Sequence, residues 1–318
     1  VAPGERYCGL SGGERLQLPV NLGEANVMEV IPTGAALGAE VRGVNIRQPL
    51  DAATVRQLID VWHQHLILII REQPMTDDQH ITFTSYFGEP EYPGITKLKN
   101  ELGIKAPNGI EIRPDSPVVV VSNIKVDGKA IGSLGDGEAA WHTDSSYTET
   151  PFAGSFLHAH EIPPNGGGDT YFNNMYEVLE SLPKELRQSI EGKTLLHPAT
   201  HSTNGQAKRG FENITDITTA PGAKHPLIRT HVKTGRKALY LGRRINSYIL
   251  GMDLGESEAL LNALWAQMDQ DRFAYRHRWR LGDLVVWDNR CAMHKRDAFD
   301  PTTRRRMHRT QTVGDRPS

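Results

Sequence analysis

The chain has 318 residues, 38% of them hydrophobic and 23% charged, and a formal net charge of −2. That length buries a core without disulfides, and ordinary apolar content with so small a charge excludes disorder. The near-neutral balance argues against a nucleic-acid binder, which needs a strongly basic face, and no apolar run approaches the roughly 18 residues that cross a bilayer. Cys8 and Cys291 stand in unrelated contexts, so no disulfide framework is expected. With no apolar signal core among the first 25 residues, a cytoplasmic location is the default.

Residues 1–27 are polar, Gly-rich and aperiodic and read as an N-terminal arm. Short alternating segments follow, such as 41–46, as expected of strands. Asp51 is placed to cap a helix whose apolar positions Val55, Leu58, Ile59, Trp62 and Leu66 keep the 3.6 period. The run 66–70 (LILII) reads as a buried strand by its length. Thr76 and Gln79 have capping-box spacing ahead of Ile81, Phe83 and Phe87. Residues 88–117 are rich in Gly, Pro and Lys and read as a lid-like insertion.

Beyond that insertion short strands dominate, at 117–124, 154–160, 227–232, 237–242, 272–279 and 283–288. Helical patterns interrupt them at 175–190 and 256–268. Many short strands between Gly and Pro turns predict a mainly β fold with flanking helices, a jelly roll or barrel. No Pro/Ser linker divides 28–318, so a single domain is expected, and the sequence allows a homo-oligomer.

Three positions carry chemistry. His142 and Asp144 are two apart, and on a strand both side chains would point to one face. His294 closes a strongly apolar strand, and a jelly roll can bring it beside the pair. Two histidines and a carboxylate that leave three positions open form the facial triad of non-haem Fe(II) oxygenases. Residues 143–146 (TDSS) equally fit a polar turn or helix cap. The basic run 304–309 reads either as a solvated face or as a strand with Arg305, Met307 and Arg309 on its inner side. Buried arginines need acids, so the second reading calls for an anionic ligand.

His142-x-Asp144, His294 and Arg305, eleven residues further on, resemble the taurine/2,4-dichlorophenoxyacetate dioxygenase family of Fe(II)/2-oxoglutarate-dependent enzymes. Blocks at 167–170 (GGDT), 225–231 (HPLIRTH), 235–240 (GRKALY) and 287–290 (WDNR) follow in family order, and the likeness runs from about Val30 to Gly314. The resemblance implies a double-stranded β-helix core and an oxidoreductase with iron, 2-oxoglutarate and O2. His142, Asp144 and His294 would be the iron ligands, and Arg305 would clamp the distal carboxylate of 2-oxoglutarate with Thr170 hydrogen-bonded to the same ligand. Arg309 would meet an acid group on a small anionic substrate, a sulfonate, sulfate ester or aryloxyalkanoate. The segment after Gly88 departs from the taurine-binding pattern, which points toward aryloxyalkanoate-type members. A cupin-like isomerase or hydrolase and a non-catalytic sensor remain open at this stage. His80, His158, His197 and His201 are read as structural histidines.

Overall fold

The computed structural model describes residues 28–92, 116–208, 211, 212, 214 and 216–318. The N-terminal arm 1–27 and most of the expected lid therefore lie outside the described residues. The first strands, β1 (Glu29–Pro32), β2 (Ala39–Arg42) and β3 (Ile67–Ile70), surround helix α1 (Ala52–His65) and precede α2 (Asp77–Ser85). Next come β4 (Val119–Ser122), β5 (Lys125–Val126), β6 (Lys129–Ala130), β7 (Ser133–Leu134), β8 (Ala139–His142), β9 (Gly154–Glu161) and β10 (Thr170–Asn174). Helices α3 (Met175–Glu180) and α4 (Lys184–Ile190) lead into β11 (Thr194–Pro198), β12 (Gly222–Pro226), β13 (Ile228–Thr230) and β14 (Lys237–Leu239). Helix α5 (Leu254–Met268) precedes β15 (Ala274–His277), β16 (Leu284–Asp288), β17 (Ala292–Arg296) and β18 (Arg306–Gln311).

The protein is mainly β with few helices. Eight strands form the larger sheet in the order β1-β2-β3-β16-β9-β18-β4-β7, and four form the smaller, β15-β10-β17-β8. Side chains of the two sheets meet: the Phe172 ring of β10 lies 5.5 Å from Trp287 of β16. The alternation along each strand explains two separate cores. Val285, Trp287, Leu157 and Met307 point toward the smaller sheet, whereas Leu284, Val286, Phe156, Leu68 and Ile70 pack with α1 and α2 on the other side. All four residues of β3 are buried because both faces of its sheet are covered.

Local chemistry sets the helix ends. Asp51 Oδ1 accepts from the backbone N–H of Ala53 and Thr54 at 2.8 and 2.9 Å, a cap worth about 0.5–2 kcal/mol. Helix α1 then buries Leu58 and Trp62 and stops where Leu66 turns left-handed. Thr76 and Gln79 form the expected capping box of α2. The single helix expected over 175–190 is instead two, α3 and α4, because Pro183 has no N–H to continue the ladder and starts a new turn. The β11–β12 pair has no counterpart among the sequence-based strands. Among the described residues no helix is long and apolar enough to cross a membrane.

Candidate metal centre and its cavity

Strand β8 ends on His142, directly opposite His294 in the antiparallel pairing with β17. Their rings are 4.1 Å apart, centroid to centroid. Asp144 is not on the strand: residues 144–147 form a turn, so the shared-face expectation is corrected, and a hydrogen-bond clamp aims the carboxylate instead. Asn289 Oδ1 accepts from the Asp144 N–H at 2.9 Å, and Asn289 Nδ2 donates to the Asp144 carbonyl at 3.0 Å.

Asp144 Oδ1 lies 3.6 Å from His142 Nε2 and 4.0 Å from His294 Nε2. Donors bound to one metal at about 2.1 Å sit roughly 3 Å apart at right angles, so a small inward movement closes the set. His142 Nδ1 donates to the Ala140 carbonyl at 2.8 Å, which leaves its Nε2 lone pair facing the aspartate. His294 Nδ1 finds no partner among the described residues; packing against Trp287, 4.8 Å between rings, holds that imidazole. Asp144 Oδ2 is already committed, accepting from Ser155 Oγ and Gln311 Nε2, both at 3.0 Å. Oδ1, which takes only the longer 3.3 Å contact from Arg309 Nη1, is thus the oxygen left for a metal.

Protonation favours the same use. Burial raises the Asp144 carboxyl, but Arg309, His294 and His142 outweigh it and hold the group well below the usual carboxylate range. Burial, then His142, pushes His294 far below its ordinary value, so it stays neutral with a lone pair to give. Two imidazoles and one carboxylate with open positions match a non-haem Fe(II) set.

The triad opens into a cavity of about 610 Å³ that Thr170, Arg305 and Arg309 also line. Arg305, just before β18, is 1% exposed; its Nη2 donates to the Gly168 carbonyl at 3.3 Å, and its Nε and Nη1 have no hydrogen-bond partner among the described residues. Burial pushes it down to about 9, Arg296 adding to the effect. A guanidinium does not surrender its proton in a protein, so such a site calls for an anion. Gly168 makes room for it: a Cβ there would meet Arg305 Nε at 3.0 Å, at a φ of +65°. Thr170 Oγ1 accepts from Trp279 Nε1 at 3.0 Å, which leaves its own hydroxyl proton free to donate.

Arg305, Met307 and Arg309 do share the inner face, while Arg304 and Arg306 reach Glu161 outside and His308 reaches Asp77. Arg309 Nη1 lies 3.2 Å from Asp144 Oδ2. None of His80, His158, His197 and His201 lines the cavity. Sequence reasoning missed Asn289, Ser155, Gln311 and Trp279. Only Gln311 had a local signal, as the next inward residue after Arg309.

The family model described as "Taurine catabolism dioxygenase TauD, TfdA family" matches residues 29–311. The chain belongs to that family. It is 32% identical over 297 residues to an alpha-ketoglutarate-dependent 2,4-dichlorophenoxyacetate dioxygenase of Cupriavidus pinatubonensis, covering 89% of this chain and 97% of that one. It is equally 32% identical, over 302 residues, to a pentalenolactone F synthase of Streptomyces avermitilis, covering 90% and 94%. Among solved structures, AAD-2 in complex with Mn(II) and N-oxalylglycine superposes with a TM-score of 0.72 at 28% identity, covering 92% of this chain and 99% of that one. With family membership comes the enzyme class, a 2-oxoglutarate-dependent dioxygenase using Fe(II) and O2.

Proposed function

We propose that residues 28–318 form one domain with a double-stranded β-helix core that oxidises a small anionic organic substrate and releases succinate and CO2. His142 and His294 would hold Fe(II) through Nε2, and Asp144 through Oδ1. When bound, the iron supplies dioxygen activation coupled to decarboxylation of 2-oxoglutarate. The chain's own part is binding and orientation. Arg305 and Thr170 take the distal carboxylate of 2-oxoglutarate, Ser155 and Gln311 keep Asp144 from rotating, and Arg309 faces the primary substrate's acid group.

One observation carries this reading: an almost fully buried Arg305 in the same cavity as the His/Asp/His set, with Nη2 on the Gly168 carbonyl but no carboxylate among the described residues to pair its charge. A cupin-like hydrolase would have no use for that cation. The relatives named above act on different compounds, so the substrate class rests on the cavity's charge. Anaerobic addition of Fe(II) and then 2-oxoglutarate should produce a visible metal-to-ligand charge-transfer band. Succinate release should then depend on an added acid from a panel of aryloxyalkanoates, sulfonates and sulfate esters. A protein that shows no band with saturating Fe(II) and 2-oxoglutarate is not a dioxygenase of this kind.

A further inference from the structure

The positive charge in the cavity is not used up by the cosubstrate. Lys208, Arg243, Arg296, Arg305 and Arg309 all line it, while the acids in its wall among the described residues are Asp144 and Glu91. Fe(II) and 2-oxoglutarate carry opposite charges of equal size, so loading both leaves the surplus unchanged. Arg296 and Arg305 both lie over the Phe299 ring, at 5.4 and 5.9 Å, which puts that pair at the 2-oxoglutarate end. Arg309 is spent in part on Asp144. Lys208 and Arg243 remain, and neither forms an ion pair with a described carboxylate.

These two cations share one ring. Lys208 Nζ lies 4.3 Å from the Tyr147 centroid and the Arg243 guanidinium 5.1 Å from it. A cation over an aromatic face is attracted to it, but two cations on one ring repel each other. Burial, and after it Arg243, pushes the Lys208 ammonium below its usual range. Arg243 Nη1 donates to the His201 carbonyl at 2.6 Å, while its Nε is buried without a partner among the described residues. An oxyanion placed between the two would relieve the repulsion and satisfy that donor.

The backbone ties the corner to the metal ligands. Tyr147 stands in the turn that carries Asp144. Gly242, next to Arg243, accepts from the N–H of Thr143 at 3.2 Å, between the two ligands of β8 and its turn. Gly242 has a φ of +64°, and a Cβ there would come within 2.0 Å of His197 Nδ1, so the path that aims Arg243 needs glycine. On the other side Ala140 donates to Thr203 at 3.0 Å, and Lys208 donates to Thr200 at 2.8 Å. Val119, Val121 and Leu157 supply an apolar wall in the same cavity.

We propose that the corner formed by Arg243, Lys208 and Tyr147 binds the anionic group of the primary substrate, a carboxylate, sulfonate or sulfate. The apolar body of the substrate lies along Val119, Val121 and Leu157 with its oxidisable carbon toward the metal. Arg309 assists from beside Asp144 rather than holding the acid alone. This rests on the dioxygenase reading above.

The test compares charged and neutral partners in protein loaded anaerobically with Fe(II) and 2-oxoglutarate. The probes are 2,4-dichlorophenoxyacetate against its amide, hexanesulfonate against hexanol and hexyl sulfate against hexyl acetate. Binding is followed by calorimetry in wild type, Arg243→Gln, Lys208→Gln and the double variant. Wild type should favour the charged member of at least one pair by tenfold or more, and the double variant should lose about tenfold or more of that preference. The 2-oxoglutarate band should form in every variant at the wild-type concentration, which shows that fold and metal site survive. An unchanged charge preference in the double variant, or no such preference in wild type, overturns the subsite. A missing band in wild type overturns the dioxygenase reading instead.

Discussion

Three places in the described part of the molecule bring two histidines and an aspartate within 4.8 Å of one another, and only the surroundings tell them apart. In His142, Asp144 and His294, the outer nitrogen of one imidazole is spent on a backbone carbonyl and the inner one is left bare. In His63, His231 and Asp288 the order is reversed. His231 Nδ1 accepts from the N–H groups of Lys233 and Thr234, so Nε2 carries the proton and donates to Asp288 Oδ2 at 2.9 Å. Arg290 then fills the place a metal would take, gripping both Asp288 oxygens at 2.8 and 2.7 Å. In the third, Asp77, His160 and His308, an Asp77 oxygen already lies 2.6 Å from His308 Nδ1. The same three residue types thus make a metal site, a buried clamp or a pair between a helix and a sheet, depending on which nitrogen holds the proton.

That contrast is easiest to break at the carboxylates. Asp144→Ala should abolish tight Fe(II) binding and lower succinate release by about a thousandfold or more, because among the described residues no other carboxylate joins both imidazoles. Asp288→Asn should leave the iron content at one equivalent but cost about 3–5 kcal/mol of stability, since it strands a buried Arg290 without its partner. Metal analysis beside a denaturation curve separates the two outcomes. Loss of iron from Asp288→Asn at a temperature where it remains folded would show that the clamp also feeds the metal site.

Next in size is Arg305→Gln, which removes one partner of a buried charge-assisted contact worth about 2–5 kcal/mol. It should weaken 2-oxoglutarate by roughly 30-fold or more, read from the concentration needed to form the charge-transfer band, while Fe(II) affinity stays unchanged. Equal loss of Fe(II) affinity would mean that Arg305 holds the centre together rather than the cosubstrate.

How much of this was legible in the sequence follows the distance over which each contact acts. The Asp51 cap and the Thr76/Gln79 box are local signals and were readable directly, whereas the period allowed the inward set Arg305, Met307 and Arg309 as one of two readings. The break at Pro183 was also local, yet the apolar pattern on either side of it masked the missing N–H. Asn289 holds Asp144 across 145 positions of chain, and Ser155 and Gln311 meet the same carboxylate from two neighbouring strands. No spacing rule reports such bonds, because register and strand order create them. Arg243 and Lys208 carry no signal in the sequence for the same reason: their shared ring, Tyr147, is remote from both along the chain.

The smallest effect concerns the histidines between α2 and the outer face of the larger sheet. Burial, then His158, pushes His80 down to about 3, against an ordinary value of 6.5. The folded protein therefore keeps it neutral, whereas the unfolded chain takes up a proton once the pH drops below about 6.5. Stability is then constant above that value and falls as the pH goes from about 6.5 toward 3, by at most about 1.4 kcal/mol per pH unit for this group. His160, pushed down to about 3 chiefly by burial, acts in the same direction but is part-exposed and contributes less. Urea unfolding between pH 7.5 and 4.5 should show His80→Gln losing close to one proton's worth of that slope. The variant starts lower at pH 7.5, because it gives up the 3.1 Å contact between His80 Nε2 and Thr310 Oγ1. The two curves should consequently converge on acidification. Parallel curves would place the acid-sensitive group elsewhere, with the His294 imidazole the next to examine in metal-free protein, since burial holds it neutral as well.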